Sequence, residues 1–143
     1  MAETTSSIYP GARTLGLRSA TPLAAADSIR RGFASTAPAR LARAVGVPLA
    51  DVARVTRIAP RTLARRTASG ARLTPEESER VLRVAALVEQ AVDVLGSVDA
   101  ARRWLHAPRP VFGGLTPWEM ADTEVGAREV ERLLGRLAHG VYS

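Results

Sequence analysis

The sequence predicts an all-α fold, and three observations predict it. Aromatic residues make up only 4% of the 143 residues while 46% are hydrophobic, so the core must be built from Leu, Val and Ala. Ala and Leu are among the strongest helix formers. Proline and glycine punctuate the chain where helices start and stop, as in Thr74-Pro75-Glu76-Glu77 and Leu95-Gly96. No alternating apolar/polar run is long enough for a strand, and no repeat of solenoid length is present. The expected architecture is a helix-turn-helix-like N-terminal bundle followed by a small C-terminal helical unit.

The elements follow in order. Residues 1–36 read as a flexible arm, because 1–26 are rich in Thr, Ser, Ala, Gly and Pro without helical period. A helix is expected from Ala37 to Ala44, with Leu41 and Val45 inward and Gly46 as its stop. Pro48 opens a short helix through Val52, Ala53 and Val55, and Pro60 opens another over Arg61–Arg66, which ends by Gly70. Thr74, Pro75 and Glu77 compose a capping box for a helix running to Leu95. Its residues Val81, Ala85, Val88, Val92 and Leu95 form one apolar stripe. Residues 37–96 are thus one region. In the region 97–143, Ser97 caps a helix through Trp104 and Leu105, and Pro108–Gly114 make a rigid loop. Thr116-Pro117-Trp118-Glu119 repeats the capping box, and a last helix covers Ala127–Ala138. Trp104, Phe112, Gly126, Val130, Leu133 and Leu137 read as packing residues.

Charge divides the chain. Residues 1–73 hold 12 Arg and 3 acids; residues 74–143 hold 8 Arg and 11 acids. A basic front and an acidic back imply two surfaces with different partners. In the front, Pro48–Ser69 has the pattern of a helix-turn-helix. Arg61 and Arg65 are four apart and share a helix face, while Leu63 points the other way. A recognition helix presents such arginines to guanine edges, and its Thr and other Arg residues to phosphates. Arg57, Arg61, Thr62, Arg65 and Arg66 are the expected DNA contacts. A near-palindromic operator calls for a dimer, and Val81, Val88 and Leu95 are the expected dimer stripe.

The carboxyl end carries a second signal. His139 sits in a last helical turn, Gly140 can end the helix, and Val141, Tyr142 and Ser143 project beyond it. Tyrosine supplies a large contact surface at low entropic cost, as binding hot spots do.

Several function classes are excluded. The chain has no cysteine, and its two histidines, His106 and His139, are 33 residues apart, so no metal-type spacing exists. Asp122 and Glu124 give no sign of a pair with separated pKa values, and Gly113-Gly114 is not a phosphate loop. No nucleophile, base and stabiliser occur together, so neither catalysis nor a cofactor is expected. No apolar run reaches membrane-spanning length and residues 1–20 lack a signal-type apolar segment, so a cytoplasmic protein is expected.

Residues 57–143 resemble the Xre/MbcA/ParS antitoxins. The likeness rests on Thr62-Leu63, Arg65-Arg66, Gly70 and Leu73 in the front. Further on it rests on Trp104-Leu105, Pro108, Phe112, Gly114, Thr116-Pro117, Asp122-Thr123, Gly126, Val130, Leu133 and Gly140-Val141-Tyr142. Trp118 departs from the family pattern, where aliphatic residues are commoner. The resemblance implies a RES-domain toxin as partner, one that consumes NAD. It implies that the carboxyl end occludes the toxin's active site, which assigns Gly140, Val141, Tyr142 and Ser143 as plugging residues with Arg136 and His139 as nearby polar contacts. It also implies binding to the promoter of the chain's own operon, and a homodimer within a hetero-oligomer. The alternative is a stand-alone helix-turn-helix regulator whose back half only dimerises.

Overall fold

A computed structural model describes residues 8–18 and 21–140. The described residues form eight α-helices and no strand, with a single isolated backbone bridge between Ala34 and Arg72. The helices are α1 (Pro22–Arg31), α2 (Ala37–Val45), α3 (Leu49–Thr56), α4 (Pro60–Ser69), α5 (Pro75–Leu95), α6 (Val98–Leu105), α7 (Pro117–Met120) and α8 (Glu124–Ala138). Most begin and end as the sequence dictates. The Thr74 and Thr116 capping boxes are both formed, Ser97 accepts from the Ala100 N–H, and Gly46, Gly70 and Gly96 end their helices in left-handed conformation. Two starts differ. Pro48 is the residue before α3 rather than its first, and α8 begins three residues earlier than Ala127, because the Thr123 hydroxyl caps it at the Gly126 N–H.

α5 is the axis of the molecule. It packs against α1, α2, α3, α6 and α8. Burial therefore extends past the expected stripe: Leu82, Val84, Leu87 and Ala91 are buried as fully as Val81, Ala85 and Val88. One continuous core results, from Leu15 and Leu41 at one end to Val130 and Leu134 at the other.

Two sequence expectations are corrected here. Residues 1–36 are not an unstructured arm where described. Thr21 and Pro22 start α1, whose alanines were read as loop composition although they favour helix. Before it, residues 9–17 fold as consecutive turns against α5, and Ala12 and Leu15 are buried. The Glu89 carboxylate accepts the Gly11 N–H (2.8 Å), the Thr14 N–H (3.0 Å) and the Thr14 hydroxyl (2.6 Å). Gly11 is required there: its φ is +90°, and a Cβ would lie 2.8 Å from the Leu82 carbonyl oxygen. Secondly, the stripe expected to join two copies is spent inside one. Val81 (0% exposed) and Val88 (4%) are core residues, and Leu95 is half-buried against the same core. Val81 and Val88, already covered within one chain, offer no surface to a second.

Candidate DNA and partner-binding surfaces

α3, a short turn and α4 form the helix-turn-helix. The turn is made at Arg57, which takes a left-handed conformation (φ +56°) as the cap of α3, its N–H bonded to the Ala53 and Arg54 carbonyls. Such a conformation is costly for a side chain other than glycine, by about 1–3 kcal/mol. Two neighbours hold it. Ile58 is buried immediately after, and Arg80 of α5 donates from Nε to the Thr56 carbonyl (2.6 Å) and from its terminal nitrogen to the Arg57 carbonyl (3.4 Å). Nothing in the local sequence marks Arg80 for this role, because its partners lie 23 and 24 residues away.

On α4, Leu63 is buried and Arg61, Ala64, Arg65 and Ala68 are exposed on the opposite side. The first turn of α4 has neither a side-chain cap nor an acidic residue. Its free N–H groups and the Arg61 guanidinium together present positive potential. Thr62 is half-buried. Arg66, also expected on DNA, is turned the other way. It forms an ion pair with Glu77, and both side chains are largely buried. Glu77 in turn accepts the Thr74 N–H of the α5 capping box. Burial alone would raise the Glu77 pKa; the Thr74 backbone N–H and the Arg66 charge outweigh it and hold the carboxyl below its ordinary value. Arg66 therefore fastens α4 to α5. Beside the exposed arginines, α3 and α4 enclose an apolar groove of about 470 Å³, lined by Leu49, Ala50, Ala53, Pro60, Ala64 and Ala68 among others.

The second surface is built by α6–α8. Trp118 is buried, stacks on His106 (centroids 4.9 Å apart) and donates its indole N–H to the Asp51 carbonyl of α3 at 3.4 Å. It thereby ties this unit to the helix-turn-helix. Trp104 is half-buried and carries the Arg109 guanidinium 4.9 Å above its ring. Phe112 is half-buried too. The bend between α7 and α8 depends on Gly126, where a Cβ would lie 1.8 Å from the Met120 carbonyl oxygen. Gly126 and Val130 are buried as expected and Leu137 packs partly on the core, while Leu134 is fully buried in place of Leu133, which is half-buried.

α8 runs parallel to α5. Arg83 interacts with Glu124, and the Gln90 side chain donates to the Glu131 carbonyl at 3.2 Å; each pair is 41 residues apart. Burial pushes the Arg83 pKa down, and Glu124 opposes this. The same offset brings the end of α8 level with the corner between α5 and α6. Arg136 and Gly140 are exposed there, and His139 caps the helix, also exposed. The remaining expected contacts, Val141, Tyr142 and Ser143, lie outside the described residues. Among the described residues no group of three or more His, Cys, Asp or Glu side chains could hold a metal ion, and no helix is long and apolar enough to cross a membrane.

Comparison with known proteins matches this division. Residues 24–86 match the family model of the antitoxin Xre-like helix-turn-helix domain, and residues 90–140 match that of the antitoxin Xre/MbcA/ParS C-terminal toxin-binding domain. The chain is 37% identical over 132 residues to an antitoxin Xre of Yersinia enterocolitica, covering 92% of this chain and 89% of that one. It is 39% identical over 112 residues to an antitoxin Xre of Pseudomonas putida (78% and 69% covered). It is 29% identical over 133 residues to a Prs ADP-ribosylating antitoxin of a Sphingobium species (87% and 84% covered).

Proposed function

Since this chain belongs to the Xre/MbcA/ParS family, and is thus an antitoxin of a toxin–antitoxin system with a helix-turn-helix domain, we propose that it neutralises a RES-domain toxin by placing its carboxyl end in the toxin's active site. The observation that carries the proposal is the succession of the two matched domains, with the toxin-binding one ending at residue 140. The tail Gly140-Val141-Tyr142-Ser143 is the plug, launched from a helix whose own packing ends at Leu137. Arg136 and His139 flank it. The toxin consumes NAD. A relative named an ADP-ribosylating antitoxin is consistent with this, because ADP-ribosyl groups derive from NAD.

The same chain binds the promoter of its own operon through α4. Arg61 and Arg65 read base edges, and Arg57 and Thr62 hold phosphate. Arg66 takes no part, since Glu77 already occupies it. Two copies span the operator within a hetero-oligomer, through a surface other than Val81 and Val88. It works in the cytoplasm, without catalysing a reaction of its own. The test is to co-purify the chain with the product of the adjacent toxin gene and assay NAD consumption. A stable complex that consumes no NAD supports the proposal; NAD consumption undiminished by the chain overturns it.

A further inference from the structure

Within the toxin-binding unit, the loop between α6 and α7 has a character the tail mechanism does not use. Val111 is 66% exposed and Leu115 47%, and Pro108 and Pro110 beside them are exposed as well. An apolar loop in water is ordinarily mobile or hidden, but this one is held open. The Arg109 N–H bonds to the Leu115 carbonyl (3.1 Å) and the Gly114 N–H to the Arg109 carbonyl (3.0 Å), closing the loop on itself. The Pro110–Phe112 turn and the half-buried Phe112 ring anchor it from within. The loop thus presents two branched apolar side chains on a preorganised base, which lowers the entropic cost of an encounter. Its charge is distinctive too. Arg102 is taken up by Asp99 and the Val45 carbonyl, but among the described residues Arg103 and Arg109 form no ion pair, in a half of the chain that is otherwise acidic. Arg109 is fixed against Trp104 at the edge of the loop.

We infer that Val111 and Leu115 form a second anchor for the toxin, seated in an apolar recess rimmed by carboxylates on the toxin surface. The inference rests on the toxin-binding reading above. The loop lies inside the matched toxin-binding span, and α6, about 12 Å long, separates it from the corner where α8 delivers the tail. Loop and tail are therefore a two-point contact: the loop holds the toxin and the tail blocks it. A plug of four residues is too small to supply a stable interface alone, since specific interfaces bury about 800 Å² per partner.

The experiment compares three variants with wild type: the full-length Val111→Asp/Leu115→Asp and Val111→Ala/Leu115→Ala, and a chain ending at His139. Each is titrated calorimetrically against the purified toxin of its operon, inactivated by substitution, and assayed separately for inhibition of the active toxin. The aspartate pair is expected to weaken toxin affinity roughly tenfold or more, with melting temperature unchanged because both sites are exposed. The alanine pair is expected to be intermediate, and it decides the matter if the aspartates disturb the fold. The chain ending at His139 is expected to keep most of its affinity and lose inhibition. Unchanged affinity in both loop variants overturns the second anchor and leaves the plug standing. Full inhibition by the shortened chain overturns the plug and leaves the anchor standing. Loss of self-association with toxin affinity intact also overturns the inference, and makes the loop a contact between copies.

Discussion

At the scale of single residues, three arginines with similar sequence settings have different physical fates. Arg61 and Arg65 face solvent, and Arg66 one position on is tied to Glu77. Each exposed arginine that neutralises a phosphate releases about one counterion. Arg61→Ala or Arg65→Ala is therefore expected to lower promoter affinity and, where the contact is to phosphate, to reduce the slope of log affinity against log salt by about 1, measured by fluorescence anisotropy. Arg66→Ala is expected to leave that slope intact and cost about 1.5–3 kcal/mol of stability, the range for hydrogen bonds to charged groups. The pair also sets a pH dependence. Glu77 has a lower pKa folded than the ordinary 4.5. Its stabilising contribution is complete above about pH 4.5 and is lost as pH falls through the lower, folded value. Thermal melts between pH 3 and pH 7 (on the order of the carboxylate range) should show this loss, and Glu77→Gln should flatten it. Arg66 was legible in the sequence as a basic residue on α4. Its direction was not, because the side chain follows a partner 11 residues away that only packing of α4 on α5 supplies.

At the scale of elements, helix ends were the most legible feature. Capping is a local interaction, made within three residues, and the Thr74, Ser97 and Thr116 caps all form as the sequence dictates. Thr74→Ala is expected to destabilise the protein by about 1 kcal/mol in urea denaturation. α1 was missed, since its Ala-rich sequence sits in a Ser/Thr/Pro-rich neighbourhood and has a single buried residue, Ala25. The α7–α8 bend carries a sharper constraint. Gly126→Ala places a Cβ against the Met120 carbonyl, and overpacking of this kind costs about 1–3 kcal/mol. A chemical denaturation midpoint equal to wild type would show that the bend can relax. Of the packing residues expected on α8, Gly126 and Val130 are buried, but the parallel packing on α5 buries Leu134 rather than Leu133. Two adjacent leucines offer no sequence-level choice between them.

At the scale of the whole molecule, α5 couples the two functional regions. It receives Arg66 of α4 at Glu77, sends its own Arg80 back to the turn after α3, and packs against α6 and α8. Trp118 makes a second link, to Asp51. Glu89, near the join of the two matched domains, fastens residues 11–14 across α5. Glu89→Ala removes three hydrogen bonds at once, and residues 9–17 are expected to become protected from hydrogen exchange only weakly while α4 stays unchanged. The residue-139 truncation, by contrast, is expected to leave folding and promoter binding intact and abolish neutralisation in a cell-rescue assay, because Gly140 is exposed and makes no packing contact within 4 Å at its Cβ position. What the sequence by itself determined is the all-α class, the helix caps, the charge division, the helix-turn-helix and the family. Each of these is encoded within a few residues, or in composition and recurring motif spacing. What only the tertiary structure decided is which faces remain available: Val81 and Val88 became core, Arg66 became a brace, the N-terminal segment became part of the body, and Val111 and Leu115 were left outside. Helical period identifies an apolar face but not its partner, and the partner is chosen by chain segments tens of residues away.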